Sequence, residues 1–189
     1  MPDLQPIVLV GGRSRRFGRD KLREPWCGTE GGEWLVDQPR LALQRAFGVP
    51  AWAVGDCDRE VACRFERHLP DDLPGAGPIA GIVAALVAAD RPVVVLSGDL
   101  PSITAEDLGM LLAAAETNPA ADAALAVADE QAPVEPCIGL YRPSILSHLR
   151  SALGTGKTPS LRGILEKATI LRVPLDRRAT RNANTVQEL

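Results

Sequence analysis

Short, unbroken apolar runs alternate along the chain with longer stretches in which apolar residues recur every three or four positions. Pro6–Val10 (PIVLV), Ala51–Val54 (AWAV) and Pro92–Leu96 (PVVVL) have the pattern of strands buried on both faces. Asp122–Ala128, Ile138–Tyr141 and Thr169–Val173 are further strand candidates. Helical spacing predicts helices over 36–47, 59–69, 79–89 and 104–116. Thr104 stands ahead of Glu106 and Asp107, an N-cap hydroxyl followed by the acidic residues that a helix N-terminus favours.

Strands alternating with helices predict β-α-β units: an α/β fold with a mainly parallel, Rossmann-like sheet and helices on both faces. No internal repeat or low-complexity linker interrupts the chain, so one domain over 1–189 accounts for it. The stretch Glu24–Trp34 (EPWCGTEGGEW) fits neither period and predicts an exposed loop. Open sheets of this kind bind ligands beyond the C-terminal ends of their strands. That rule selects GGRSRRFGRDK after the first strand, GDCD (55–58) after the second and SGDLP (97–101) after PVVVL. All three are predicted to open on one edge of the sheet.

Composition narrows the function classes. With 21 Lys and Arg against 24 Asp and Glu, the 189-residue chain carries a net charge of −3, and aromatics are 4%. A general nucleic-acid binder would carry a basic face and a stacking platform, so no nucleic-acid partner is expected. Cys27, Cys57, Cys63 and Cys137 form no C-x-x-C pair, and His68 and His148 stand apart. This is not zinc-ligand spacing, and scattered thiols fit a reducing compartment. No apolar stretch reaches the ~20 residues of a membrane span, and the N-terminus, with Asp3 and no basic region, is not a secretory signal. A soluble, cytoplasmic protein with no membrane partner is expected.

Against this acidic background the first loop stands out. Arg13, Arg15, Arg16, Arg19, Lys21 and Arg23 crowd it, with only Asp20 opposing them. Gly11 and Gly12 let backbone N–H groups approach a phosphate, while arginine and lysine neutralise its charge. The spacing is neither G-x-G-x-x-G nor a Walker A loop. A solvated basic turn is the bland alternative. Gly156-Lys157-Thr158 mimics the end of a P-loop, but Ser151 stands where glycine is needed and no strand precedes it. A helix-ending turn is expected there. Asp99, leaving a buried strand beside the phosphate loop, is placed either to cap a turn or to hold Mg²⁺, which binds one or two carboxylates plus substrate phosphates. The segment Pro70–Ile82 (PDDLPGAGPIAGI) is a Gly-Pro turn that feeds a helix.

Four of these segments together resemble the molybdenum cofactor guanylyltransferase family. LVGGRSRRFGRDK resembles its L-A-G-G-x-S-x-R-M-G-x-D-K signature. DDLPGAGPIAGI is similar to D-x-x-P-G-x-G-P-L-x-G-I, GDLP to C-D-x-P, and NANT (182–185) to N-x-N-T-P. They occur in the family's order from Leu9 to Thr185 and span nearly the whole chain. Val10 replaces alanine and would crowd the nucleotide side, Phe17 replaces methionine, and Val186 replaces the final proline.

The resemblance implies a nucleotide-diphospho-sugar-transferase-like fold and transfer of GMP from GTP to the terminal phosphate of molybdopterin, with release of pyrophosphate. It places nucleotide contacts on Leu9, Val10, Gly11, Gly12 and Gly77, with another near Gly55. It puts the phosphate-binding lysine on Lys21 and the base- or ribose-binding aspartate on Asp71, next to Asp72; Arg16, from the same basic loop, is a further candidate for offsetting phosphate charge. It puts Mg²⁺ on Asp99, and further substrate contacts on Asn182 and Asn184. Insertion of the product into an enzyme implies transient contact with other cofactor-biosynthesis proteins or molybdoenzymes. No general base is required, because a phosphate monoester with its second pKa near ~6 is already largely ionised at neutral pH. A cytidylyl- or other nucleotidyltransferase of the same fold, or a non-catalytic nucleotide-binding module, remains the alternative.

Overall fold

Along the first strand, Val8 points to one apolar layer while Ile7 and Leu9 point to the other, and both layers are covered by helices. The computed structural model describes residues 3–11, 21–26, 33–73, 75–153 and 160–183. Among them, β1 (Gln5–Leu9), β2 (Trp52–Val54), β3 (Arg67–Leu69), β4 (Val93–Ser97), β5 (Ala123–Val127), β6 (Glu135–Tyr141) and β7 (Ile170–Pro174) form one sheet. Its order is β3-β2-β1-β4-β6-β5-β7. β6 runs antiparallel to both neighbours, and every other pairing is parallel.

On one face, α1 (Asp37–Phe47), α2 (Arg59–Ala62) and α4 (Ala105–Thr117) bury Leu43, Phe47, Val61, Leu108 and Leu111 against Val8, Val94 and Leu96. On the other, α3 (Pro78–Ala89), α5 (Leu146–Leu153) and α6 (Leu161–Leu165) bury Ile79, Ile82, Leu86, Leu149 and Ile164 against Ile7, Val93 and Val95. This is the expected α/β fold with a mainly parallel sheet between two helical layers. The Thr104 cap is present: its hydroxyl accepts from Asp107 N (3.2 Å), and the Asp107 carboxylate accepts from Thr104 N (3.0 Å). No helix among the described residues is long and apolar enough to cross a membrane.

Three expectations need correction. The helix predicted over 59–69 is a single turn, α2, followed by strand β3. Arg67, His68 and Leu69 pair with Trp52, Ala53 and Val54, so β2's hydrogen bonds decide their conformation against a helical spacing. The helix implied by the helix-ending turn expected at Gly156-Lys157-Thr158 is α5, whereas α6 was not predicted. The exposed loop predicted at Glu24–Trp34 is tied at its base, where Pro25 bridges Trp34 and Trp26 N donates to Glu33 O (3.0 Å). Glu24 is buried there, while 27–32 lie outside the described residues, as do Gly156-Lys157-Thr158.

Candidate active site

The ends of β1, β2 and β4, with Gly11, Gly55 and Gly98, meet at one edge of the sheet, as the strand-end rule predicts, while 12–20 of the first loop lie outside the described residues. Val10 N donates to Val54 O (2.9 Å) and Gly98 N to Leu9 O (3.0 Å), which draws the three strand ends together. Gly11 and Gly55 touch backbone to backbone: a Cβ on Gly55 would lie 2.7 Å from Gly11 N, and Gly55 has φ +109°. Leu9 and Val10 direct their side chains into the core. Val10 therefore does not crowd the edge, and Gly11 is the exposed residue of the three.

Lys21 opens a 3-10 turn over Lys21–Arg23 whose middle residue, Leu22, is buried. Gly98 admits that side chain, since a Cβ there would lie 3.0 Å from Leu22 Cδ2. The packing delivers Lys21 Nζ to Asp99 Oδ2 at 2.5 Å, with side-chain exposures of 17% and 11%. Ser97 Oγ donates to the other oxygen, Asp99 Oδ1, at 2.5 Å. The C-terminal segment closes the group: Ala183 N donates to Asp99 O (2.9 Å) and Lys21 Nζ donates to Ala183 O (3.3 Å). Asn182, exposed, is thereby held at the rim.

Cys137 on β6 lies within the field of Asp99. Burial, then the negative charges of Asp99 and Glu135, push its thiol up to about 11, against a weaker opposing effect of Arg162. It is a neutral thiol at physiological pH.

Asp71 lies beside the β2 loop, where its N–H donates to Asp56 Oδ1 (3.3 Å) and its own Oδ1 accepts from Leu73 N (3.1 Å). Asp72 is exposed. Gly77, with φ +67°, precedes Pro78 at the start of α3. His68 Nε2 lies 2.8 Å from Gly55 O and fixes the same loop. Gly12, Arg16 and Asn184 lie outside the described residues. Arg23, counted in the basic loop, is committed elsewhere: it pairs with Asp58 (3.2 Å) and with Glu60.

The sequence reading missed Ser97, Cys137, Ala183 and a buried anchor at Asp37. Asp37 accepts from Trp34 N (2.9 Å), Arg40 Nε (3.1 Å) and Arg64 Nη1 (2.5 Å), and Arg64 stacks 3.9 Å from the Trp34 ring centroid. Only Ser97 left a sequence signal, a hydroxyl ending an apolar strand two residues before Asp99.

Among the described residues no cluster of three or more His, Cys, Asp or Glu could hold a metal. One carboxylate at a strand end matches the smaller protein contribution of Mg²⁺ sites, which take their other ligands from water and substrate phosphates. What the edge offers is a lysine, a carboxylate and close-packed glycine backbone, the parts of a nucleotide-phosphate site.

Comparison with known proteins identifies the family. A family model described as the MobA-like NTP transferase domain matches residues 6–172. A probable molybdenum cofactor guanylyltransferase of Opitutus terrae is 38% identical over 112 residues, 57% of this chain and 54% of that protein. A molybdenum cofactor guanylyltransferase of Rhizobium johnstonii is 33% identical across 97% of this chain and 88% of its own length. The crystal structure of molybdopterin-guanine dinucleotide biosynthesis protein A from Archaeoglobus fulgidus superposes with a TM-score of 0.75 at 25% identity, covering 97% of this chain and 94% of that one. The chain belongs to the MobA-like NTP transferase family of nucleotidyltransferase enzymes.

Proposed function

We propose that the protein transfers GMP from GTP to the terminal phosphate of molybdopterin, releasing pyrophosphate and forming molybdopterin guanine dinucleotide. The observation that carries this reading is the Lys21–Asp99 pair, set where the glycine-lined ends of β1 and β2 meet the end of β4. An acceptor phosphate oxygen attacks the α-phosphorus of GTP, an O–Pα bond forms, and the bond to the β-phosphate oxygen breaks. Its electron pair leaves on pyrophosphate. The acceptor is already ionised, so no residue has to remove a proton.

Catalysis then comes from positioning and charge. Lys21 exchanges its partner, leaving the Asp99 carboxylate for the triphosphate, and Arg16 adds charge beside it. Asp99, once freed, would hold Mg²⁺, which when bound would supply charge neutralisation at the α-phosphate and leaving group. Gly11, Gly12 and Gly55 offer backbone to the nucleotide, with Asp71 and Gly77 at the base or ribose. Replacing Lys21 by alanine should lower turnover by roughly 10²–10³ without unfolding the protein. Near wild-type turnover by folded Lys21→Ala protein would remove the lysine from the mechanism.

Base choice follows from donors and acceptors. Guanine presents N1–H and an exocyclic amine side by side, and acceptors on the turn around Gly75–Gly77 can receive both. Adenine offers a bare N1 there, which leaves a buried acceptor unpaired at a cost of about 1–3 kcal/mol. The test is pyrophosphate release with GTP, CTP and ATP in the presence of molybdopterin, on wild type, Asp71→Ala and Asp72→Ala. GTP should be used well ahead of the others, and Asp71→Ala should lose more than Asp72→Ala. Equal use of CTP would overturn the guanylyl assignment.

A further inference from the structure

We infer that Ser97 is a positioning residue for Asp99, holding the carboxylate in place for the metal–nucleotide complex once Lys21 has let go of it. The inference rests on the metal role proposed for Asp99. In the free protein that carboxylate has two side-chain restraints, Lys21 Nζ on Oδ2 and Ser97 Oγ on Oδ1, each at 2.5 Å. A divalent cation that took Oδ2 as its ligand would displace the lysine from that oxygen. The neighbouring residues supply no substitute: Gly98 has no side chain, and the space beside it is filled by Leu22. Ala183 reaches only the Asp99 backbone carbonyl. Among the described residues the serine hydroxyl is therefore the side chain that continues to orient the carboxylate.

Its place in the strand has no packing explanation. β4 alternates Val93 and Val95 toward the α3 layer with Val94 and Leu96 toward the α1 layer. Ser97 continues the Val93–Val95 series, where an apolar residue would extend the core beside Leu9, its parallel neighbour in the register. Half-buried at the end of β4, Ser97 instead directs its hydroxyl to the carboxylate two residues on. With Oδ1 engaged by Ser97, Oδ2 is the oxygen that Lys21 would leave available to a cation. Hydrogen bonds that orient a metal-binding side chain commonly change metal affinity by about 10–100-fold.

The test measures Mn²⁺ rather than turnover. Water-proton relaxation enhancement separates the ternary protein–Mn²⁺–nucleotide complex from Mn²⁺ bound to nucleotide alone, using a GTP analogue with a methylene between the α- and β-phosphorus atoms. Ser97→Ala should weaken Mn²⁺ in the ternary complex by about tenfold or more. Ser97→Thr, which keeps the hydroxyl, should restore most of that loss. Binding of the analogue in EDTA should be the same in all three proteins, and circular dichroism should show all of them folded. Mn²⁺ affinity in Ser97→Ala equal to wild type, or a loss that is as large in EDTA, would overturn the positioning role. Asp99→Asn separates the two readings. If it loses Mn²⁺ while Ser97→Ala does not, only the serine inference falls. If Asp99→Asn keeps Mn²⁺, the metal role of Asp99 falls and the serine inference with it. The guanylyl assignment is tested separately by base competition.

Discussion

Asp99 bears on Cys137 through charge alone, which gives its ionised state a readout independent of catalysis. A thiol near 11 is only about one part in a thousand thiolate at pH 8, and the thiolate is the nucleophile. Iodoacetamide should therefore label Cys137 slowly, with a rate that climbs as pH rises toward 11. Burial is the larger cause of the shift and would persist in Asp99→Asn, but the repulsion from Asp99 would go. The Cys137 pKa should fall and its labelling at fixed pH should speed up, while exposed Cys63 reports any general loosening. Equal Cys137 rates in the two proteins, followed by peptide mass spectrometry, would show that Asp99 is not the charge it feels. Lys21 and Asp99 were legible as candidates in the sequence because Lys21 closes a glycine-rich basic stretch after the first apolar strand and Asp99 follows the end of a wholly apolar one. Ala183 was not, since it acts through its peptide group, and Asp37 was not, since Arg64, which it holds, lies 27 positions away.

At the scale of elements, the site edge depends on how closely the β1 and β2 ends approach. Gly55 combines φ +109° with a missing Cβ that would otherwise lie 2.7 and 2.8 Å from Gly11 N and Cα. Gly55→Ala should cost roughly 2–4 kcal/mol by adding backbone strain to a backbone clash, and it should weaken nucleotide binding by forcing the two loops apart. Gly11→Ala meets its nearest atoms at 3.3 and 3.4 Å and should be much milder. Urea denaturation and GTP-analogue titration of both variants check the order, and equal losses would show that the contact does not control the edge. β1, β2 and β4 were legible because strands buried on both faces have to be continuously apolar. β3 was not: it is a short edge strand, and Arg67 covers Trp52 with its guanidinium 4.6 Å from the ring centroid, so its residues carry no strand period. In α5, Leu146, Leu149 and Leu153 keep a helical spacing, but over eight residues, too few for periodicity to outweigh the neighbouring turn signals.

Across the whole molecule, alternation of strands and helices makes a mainly parallel sheet legible, but not the reversal of β6, because a single antiparallel strand has the same apolar pattern as its neighbours. That reversal has a functional consequence. Because β6 is antiparallel to β4, its beginning, with Glu135 and Cys137, lies at the same edge as the end of β4. After β7, at the far side of the sheet, the chain returns to the centre and docks Ala183 on Asp99 and Lys21. In the strand order the glycine ends of β1 and β2 thus lie on one side of β4, and β7, from which the segment returns, lies on the other. If the first side holds GTP, the second is where the acceptor phosphate has to arrive for attack at the α-phosphorus. Asn182, exposed one residue before Ala183, is placed to bind it. Asn182→Ala should leave GTP-analogue affinity within roughly threefold of wild type while lowering kcat/KM for molybdopterin by about tenfold, the worth of one good hydrogen bond. Calorimetric titration of the analogue and initial rates at varied molybdopterin measure the two sides separately. Loss of analogue binding with acceptor kinetics unchanged would assign Asn182 to the donor nucleotide and reverse the division between the two sides of the pair.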